Sequence, residues 1–480
     1  MPGPGPSIAQ DGDHRRSPGD RRPREREGPR DGTGSQRTPA VNAAPGRNPY
    51  ADLLRIGAVG FVVTGHWLLT SISDHGGHLH GEDVVSALPW TQWLTLFFQV
   101  MPLIFLAGGY ANAGSWARHH AAGEPWAGWL ADRARRLLVP TTVYVAVAVL
   151  AVVVCVAADV PAAIREELFW AAALHLWFLP TYLALLALTP ALAAGWRRRR
   201  WQLPLAFAVL TAVVDVFVIG PRLPLIGWSN YLWVWGGLYL LGFAWRDGAF
   251  TRAGALWLAA AGAALWALLV LPGPFPVSTV GVPGARIQNA SPPSIALAAY
   301  AAVLIGLLLA AEDAVRRRMR HPRRVTAANA AAMPLYLWHM APALAVAAVA
   351  YPAGLLPFTP IGSGGWWLLR PVWVLICAAL LIPLVLALAR LPHPPPYPAR
   401  RAWTTGPRLL LVAALAAACY ALAHLALHGF APGGRLPAVP LLCYAVGTAV
   451  LLGVSTAPRT SGVEGHSAAR QCPEPGRGVD

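Results

Sequence analysis

The chain has 480 residues, of which 56% are hydrophobic and 12% charged, and its mean hydropathy is +0.46. A soluble protein of this length needs far more polar surface, so composition excludes a soluble globular enzyme and indicates a polytopic α-helical membrane protein. The net charge of +16 rests on 38 basic residues that are all arginine, and their placement reads as an orientation signal and not as a nucleic-acid footprint.

The first 49 residues are rich in Pro, Gly, Arg and Asp and cannot build a core, which predicts a disordered cytoplasmic tail. No apolar region follows the start directly, against a cleaved signal peptide. About twelve apolar runs follow, each a candidate span. They cover 51–72, 91–113, 136–158, 170–194, 202–219, 228–245, 252–271, 294–311, 326–349, 366–390, 406–429 and 437–456. The fifth and sixth are short. Residues 457–480 read as a second cytoplasmic tail.

Arginine sets the direction. With the N-terminus inside, the inner segments hold the clusters at 133–136, 197–200 and 316–320 and the pair Arg400 and Arg401. The outer segments hold little beyond Arg165, Arg222, Arg286 and Arg435. That asymmetry predicts an all-α transmembrane bundle of about twelve spans with both termini cytoplasmic. Of the five cysteines, Cys155, Cys377, Cys419 and Cys443 lie in apolar runs without paired or metal-ligand spacing, as small buried residues do.

Span one, LLRIGAVGFVVTGHWLL, carries Arg55 and His66. An ionisable group at membrane depth is expensive, so it has work to do or a firm partner. At about 100° and 1.5 Å per residue, the two share nearly one helix face, roughly 16 Å apart. His66 is either a satisfied packing residue or a general base, since an imidazole takes a proton from a hydroxyl near neutral pH. Arg133 and Arg136 form an R-x-x-R pair before span three. Their forked guanidiniums suit phosphate groups, although plain positive-inside anchoring explains them equally. The outer stretch SISDHGGHLHGED holds Asp74, His75, His78, His80, Glu82 and Asp83. A surface loop explains it better than a metal site, and no metal is expected.

Span four begins FWAAALHLWFLPTYL, with His175, Trp177 and Tyr182 near its outer edge, where an interfacial aromatic belt is the plain alternative. Span nine contains AANAAMPLYLWHM, with Asn329, Tyr336 and His339. The Pro-rich segment before span eight reads as an entrance cover or a passive loop, and Asn289 in Asn-Ala-Ser is a weak match to a glycosylation acceptor.

Taken in order, YADLLRIGAVGFVVTGHW, LFFQVMPLIFLAGGY, DRARRLLVPTTVY, LHLWFLPTYL and AMPLYLWHM resemble the integral-membrane acyltransferase-3 family, bacterial O-acetyltransferases that modify sugars and other hydroxyls. The resemblance covers roughly residues 48–390, a ten-span core, and leaves the last two spans as an addition. It implies four segments: a tail at 1–49, an acyltransferase domain at 50–390, two additional spans within 391–456 and a tail at 457–480. Arg55 and His66 take the places of the family's arginine–ten residues–histidine motif, and Arg133 and Arg136 those of its R-x-x-R motif. The sequence departs from the pattern in span four, where Pro180, Thr181 and Tyr182 follow Leu179 in place of the acidic residue that family members often carry.

The resemblance implies acetyl-CoA or another acyl-CoA as donor and no tightly bound cofactor. The acceptor is a hydroxyl on a carbohydrate, a glycolipid or another cell-envelope or secreted molecule. Membrane lipid is the surrounding partner, and the location is the cytoplasmic membrane of a bacterium. Catalysis falls to His66 with Arg55, donor binding to Arg133 and Arg136, and substrate contact to His175, Trp177, Tyr336 and His339. The rival reading is a multi-span transporter or flippase, for which Asp215 in span five is the main intramembrane acid. A lipid-linked glycosyltransferase is a third reading. No Gly-x-Ser-x-Gly elbow is present, against a serine hydrolase.

Overall fold

The structure, a computed structural model, describes residues 48–75, 78–390 and 405–456. The two expected tails therefore lie outside the described residues, apart from Asn48 and Pro49. The core of each expected run is helical. Among the described residues nine helices are long and apolar enough to cross a membrane, and ten if one bent pair counts as a single span.

Helix α1 (Pro49–Leu69) starts where the Asn48 side chain accepts from the Tyr50 amide at 2.9 Å, with Pro at the first position and Asp52 in the first turn. It ends at Thr70, whose hydroxyl donates to the His66 carbonyl at 2.8 Å. The chain then enters an antiparallel hairpin, β1 (Thr70–His75) and β2 (His78–Asp83), paired from Thr70 with Asp83 to His75 with His78. Among the described residues this is the only sheet, a departure from an all-α description. Alternating Thr70-Ser71-Ile72-Ser73 before Gly76-Gly77 is a strand-and-turn signal that the loop reading passed over. The side chains of residues 74–80, where the metal alternative lay, are outside the described ones.

Helix α2 (Met101–Ala121) crosses α7 (Asn230–Arg246) at backbone contact. A Cβ on Gly109 would lie 2.0 Å from the Tyr239 carbonyl oxygen, and one on Gly242 would lie 2.2 Å from that of Leu106. Small residues allow such approach, and in lipid the gain is dispersion between the two helices. Helix α7 has 17 residues and carries Tyr231, Trp233, Tyr239 and Arg246, so it falls short as a lipid-facing span. Protein covers it instead: Trp235, Tyr239, Leu240 and Phe243 are buried. The same device joins α8 (Arg252–Val270) to α9 (Ile295–Arg318), where a Cβ on Gly306 would lie 2.5 Å from the Ala255 carbonyl oxygen.

Between these lie α3 (Trp126–Ala157), α4 (Ala162–Ala173), a 3-10 turn at Leu174–Trp177, α5 (Phe178–Arg199) and α6 (Gln202–Ile219). After α9 the bent pair α10 (Pro322–Trp338) and α11 (Met340–Ala350) breaks by 44° at His339. Pro342 lacks the N–H that the Trp338 carbonyl would take in a straight helix. Then come α12 (Gly364–Ala389), α13 (Thr405–His428) and α14 (Ala438–Thr456).

The segment before α9 is pinned. Asn289 is buried, donates to the Pro276 and Ser278 carbonyls at 2.7 and 2.9 Å, and accepts from Ser294 Oγ at 2.7 Å. A side chain so engaged is no glycosylation acceptor. Asp215 accepts from Asn230 Nδ2 at 2.8 Å and from the Ile295 amide at 2.7 Å. It therefore fastens the start of α9 to α6 and α7.

Candidate active site

Three helix breaks or ends deliver three imidazoles to one place. His66 lies one turn before the end of α1, His339 at the α10–α11 break, and His175 in the 3-10 turn before α5. His66 Nδ1 and His339 Nε2 are 2.8 Å apart, with ring centroids 5.0 Å apart. His339 Nδ1 lies 2.7 Å from the Tyr336 carbonyl oxygen. The His175 ring stands edge-on to His339 at 4.9 Å, to Tyr336 at 5.3 Å and to Tyr144 at 5.5 Å. His175 and His339 are buried, while His66 retains partial exposure.

The backbone around the histidines is clamped by side chains. Trp67 Nε1 donates to the His339 carbonyl at 2.7 Å, and Trp373 Nε1 to the Trp67 carbonyl at 3.0 Å. Arg370 Nη1 donates to the Thr70 carbonyl at 2.8 Å, and its guanidinium lies over the rings of Trp366 and Trp373. The last carbonyls of α1 have no partners within the helix, and α12 supplies one for Trp67 and one for Thr70 just past the helix end. Tyr336 donates its hydroxyl to the His175 carbonyl at 2.7 Å. Neither ring nitrogen of His175 has a hydrogen-bond partner of good geometry, although the Leu337 backbone lies close to the ring.

Three turns down α1, Arg55 Nη2 donates to the Ala107 carbonyl of α2 at 3.2 Å, and Nη1 lies 3.7 Å from Asp52 Oδ1. Asp52 is buried and also accepts from Thr326 at 3.1 Å and Asn329 at 3.0 Å. From the sequence alone Asp52 carries no assigned role. Its i,i+3 spacing from Arg55, which puts both on one face, was the available signal.

Arg133 and Arg136 part company. Arg133 turns inward onto α2, where it donates to Ser115 Oγ, which also accepts from Trp129 Nε1 at 3.0 Å. Tyr182 and Tyr239 are near enough to feel its charge. Tyr182 in turn accepts from Asn112 at 2.9 Å, and Tyr239 shares a 2.7 Å hydrogen bond with Thr189. Arg136 is exposed and pairs with Asp132 at 2.8 Å. Ser115 lies eight residues from Ala107, so Arg133 meets α2 about 12 Å along its axis from the point where Arg55 does. The two inward-turned arginines thus step along one helix toward the histidines.

Trp177 stands apart, packed on Tyr231 and Trp235 at 5.7 and 5.4 Å. Among the described residues no group of three or more His, Cys, Asp or Glu is arranged to hold a metal ion. A cleft of about 430 Å3 between α8 and α9, lined by Arg252, Asp313 and Arg317 with Leu256 and Leu307, shares no residue with the histidine cluster.

No curated protein and no solved structure is significantly similar to the chain. Residues 48–390, more than two thirds of it, match the acyltransferase domain that defines the acyltransferase-3 family. The matched region holds the histidine cluster, Arg55 and both arginines of the R-x-x-R pair. The chain therefore belongs to the acyltransferase-3 family, its apolar helices forming a membrane-embedded acyltransferase fold.

Proposed function

We propose that the protein is an integral-membrane O-acyltransferase. It moves an acyl group, acetyl in the simplest case, from cytoplasmic acyl-CoA to a hydroxyl of a sugar, glycolipid or other cell-envelope or secreted acceptor. The observation that carries this reading is His66. It is a partly exposed imidazole inside a spanning helix, with Nδ1 engaged by His339 and Nε2 bonded to nothing among the described residues. A histidine kept for packing needs no open nitrogen at membrane depth.

In this mechanism Arg133 and Arg136 hold the phosphates of the donor, and Arg55 orients the arm or the thioester carbonyl. His66 takes the proton of the acceptor hydroxyl as its oxygen attacks the carbonyl carbon. The new C–O bond forms, the C–S bond breaks, and the proton passes to the departing CoA sulfur. Charge developing on the carbonyl oxygen needs a hydrogen-bond donor. Tyr336 and His339 already have their polar atoms engaged with protein, whereas His175 has a ring N–H to give. His175 is therefore our donor of choice, and Trp177, packed on Tyr231 and Trp235 away from the histidines, takes no step in this mechanism. We take both termini as cytoplasmic, on the arginine asymmetry, and the segment 50–390 as the catalytic domain with two further spans.

Transport is the weaker reading. Asp215, the acid that a proton path through span five would need, has one carboxylate oxygen committed to Asn230 of α7 and the other to the Ile295 amide of α9.

Membrane vesicles given radiolabelled acetyl-CoA and cell-envelope extract test the proposal. Label should enter a hydroxyl-bearing product with the wild type and fall by about 100-fold or more with His66→Ala, the scale of a lost general base. Equal labelling by folded His66→Ala would remove His66 from catalysis. No labelled product from the wild type with any acyl-CoA would favour transport.

A further inference from the structure

We propose that His339 is a positioning residue that fixes His66 in the Nδ1–H tautomer and leaves its Nε2 as the basic atom. This deepens the reading of His66 as general base and rests on it. The argument begins at a backbone carbonyl. The Tyr336 oxygen can only accept, and His339 Nδ1 lies 2.7 Å from it, so the hydrogen is on Nδ1. A neutral imidazole protonated at Nδ1 has its lone pair at Nε2. That Nε2 lies 2.8 Å from His66 Nδ1, which must then be the donor. With its hydrogen on Nδ1, His66 carries its own lone pair on Nε2, the nitrogen with no partner among the described residues on a residue that keeps partial exposure.

The alternative places a second proton on His339 and reverses the middle hydrogen bond. It would leave a cation deep in the bundle. The groups facing it are His66, the neutral aromatic side of His175, the Tyr336 carbonyl and the clamp from Trp67. Among the described residues no carboxylate partners either ring. An uncompensated charge in such a place is costly, so the resting pair is neutral.

The pair does the work that a buried carboxylate does behind the histidine of a serine hydrolase: it holds one tautomer and one ring orientation, and it accepts from the Nδ1–H when the ring becomes charged. Here the second imidazole is backed by a backbone carbonyl at the helix break. When the acceptor O–H bond breaks, its proton goes to His66 Nε2. The charge is then shared along the Nδ1–H to His339 Nε2 bond until the proton moves on to the CoA sulfur.

Nitrogen NMR of the full chain, labelled with 15N-histidine and reconstituted in lipid, reads the tautomers directly and requires no turnover. His66 and His339 should both appear as Nδ1–H forms. His339→Leu should remove both signals, its own by deletion and that of His66 by reversion to the common Nε2–H form. His339→Gln, whose amide oxygen reaches the same place as Nε2, should remove only its own. In turnover, His339→Leu should lower kcat by about 100-fold or more with little change in KM for acetyl-CoA, and His339→Gln should recover at least about tenfold of that loss. His66 remaining Nδ1–H in folded His339→Leu, or Leu and Gln variants with equal kcat, would overturn the proposal. Acyl transfer by His66→Ala would instead defeat the general-base reading, and the tautomer result would stand apart from it.

Discussion

Arg133 and Arg136 belong to one motif and stand three positions apart on one helix, yet they meet different physics. Arg133 is turned inward against Ser115, near Tyr182 and Tyr239, whereas Arg136 lies at the surface beside Asp132. An exposed ion pair is screened and contributes little, while a guanidinium drawn off the surface holds a phosphate oxygen strongly. Arg133→Ala should therefore raise KM for acyl-CoA by about tenfold or more, the worth of one charge-assisted hydrogen bond. Arg136→Ala should have a clearly smaller effect. Initial rates against acyl-CoA concentration for the two variants check this, and equal KM changes would put both on the same footing. The R-x-x-R spacing was visible in the sequence. Which arginine turns inward was not, because that depends on Ser115 arriving from another helix.

At the scale of elements, the α2–α7 crossing decides where Arg55, Arg133 and the tyrosines can meet. Gly109 and Gly242 each sit against the other helix's backbone, so a side chain at either cannot be absorbed by a rotamer change. Gly109→Val should force the helices apart and cost upwards of about 2 kcal/mol. A lowered unfolding temperature in detergent, with Gly248→Ala as a control away from the crossing, checks it. A Cβ at Gly248 meets nothing within 4 Å, although its φ of +66° adds some strain of its own. A Gly109→Val protein as stable as wild type would mean that the crossing is looser than described. The α10–α11 break works in the same way. Pro342 lacks the N–H that the Trp338 carbonyl would take, the helix bends at His339, and His339 Nδ1 lies beside the Tyr336 carbonyl.

For the whole molecule, the last two helices lie beyond the family region yet pack onto the site wall. Helix α13 packs on the Leu174–Trp177 turn, on α5 and on α4. Its Ala418, Ala421, Leu422 and Leu425 are buried, and Phe430 stands 6.2 Å from Tyr144, the ring that faces His175. Gly429 has φ +80°, and a Cβ there would lie 2.8 Å from the Trp170 backbone. Gly429→Val should therefore disturb the His175 turn from outside the family region, lowering kcat by about tenfold or more while KM for the donor changes less. Kinetics on the purified variant test it. Unchanged kcat would show that the added helices are passengers.

The sequence by itself determined the membrane class, the succession of helices, the family and the candidate site residues to look for. Those follow from local quantities: apolar run length, arginine placement, and motifs in order along the chain. The His66–His339 pairing, the inward turn of Arg133 and the roles of Asp52 and Arg370 were decided only by tertiary structure. Each joins residues distant in the chain, His66 to His339 and Arg370 to Thr70 among them. Their meeting depends on where small residues let helices touch and where a proline breaks one, and no periodicity encodes that. The strand pairing of Thr70–Asp83 lies between the two cases, since its alternation was written in the sequence but is too short to prevail over a loop reading until both strands are seen side by side.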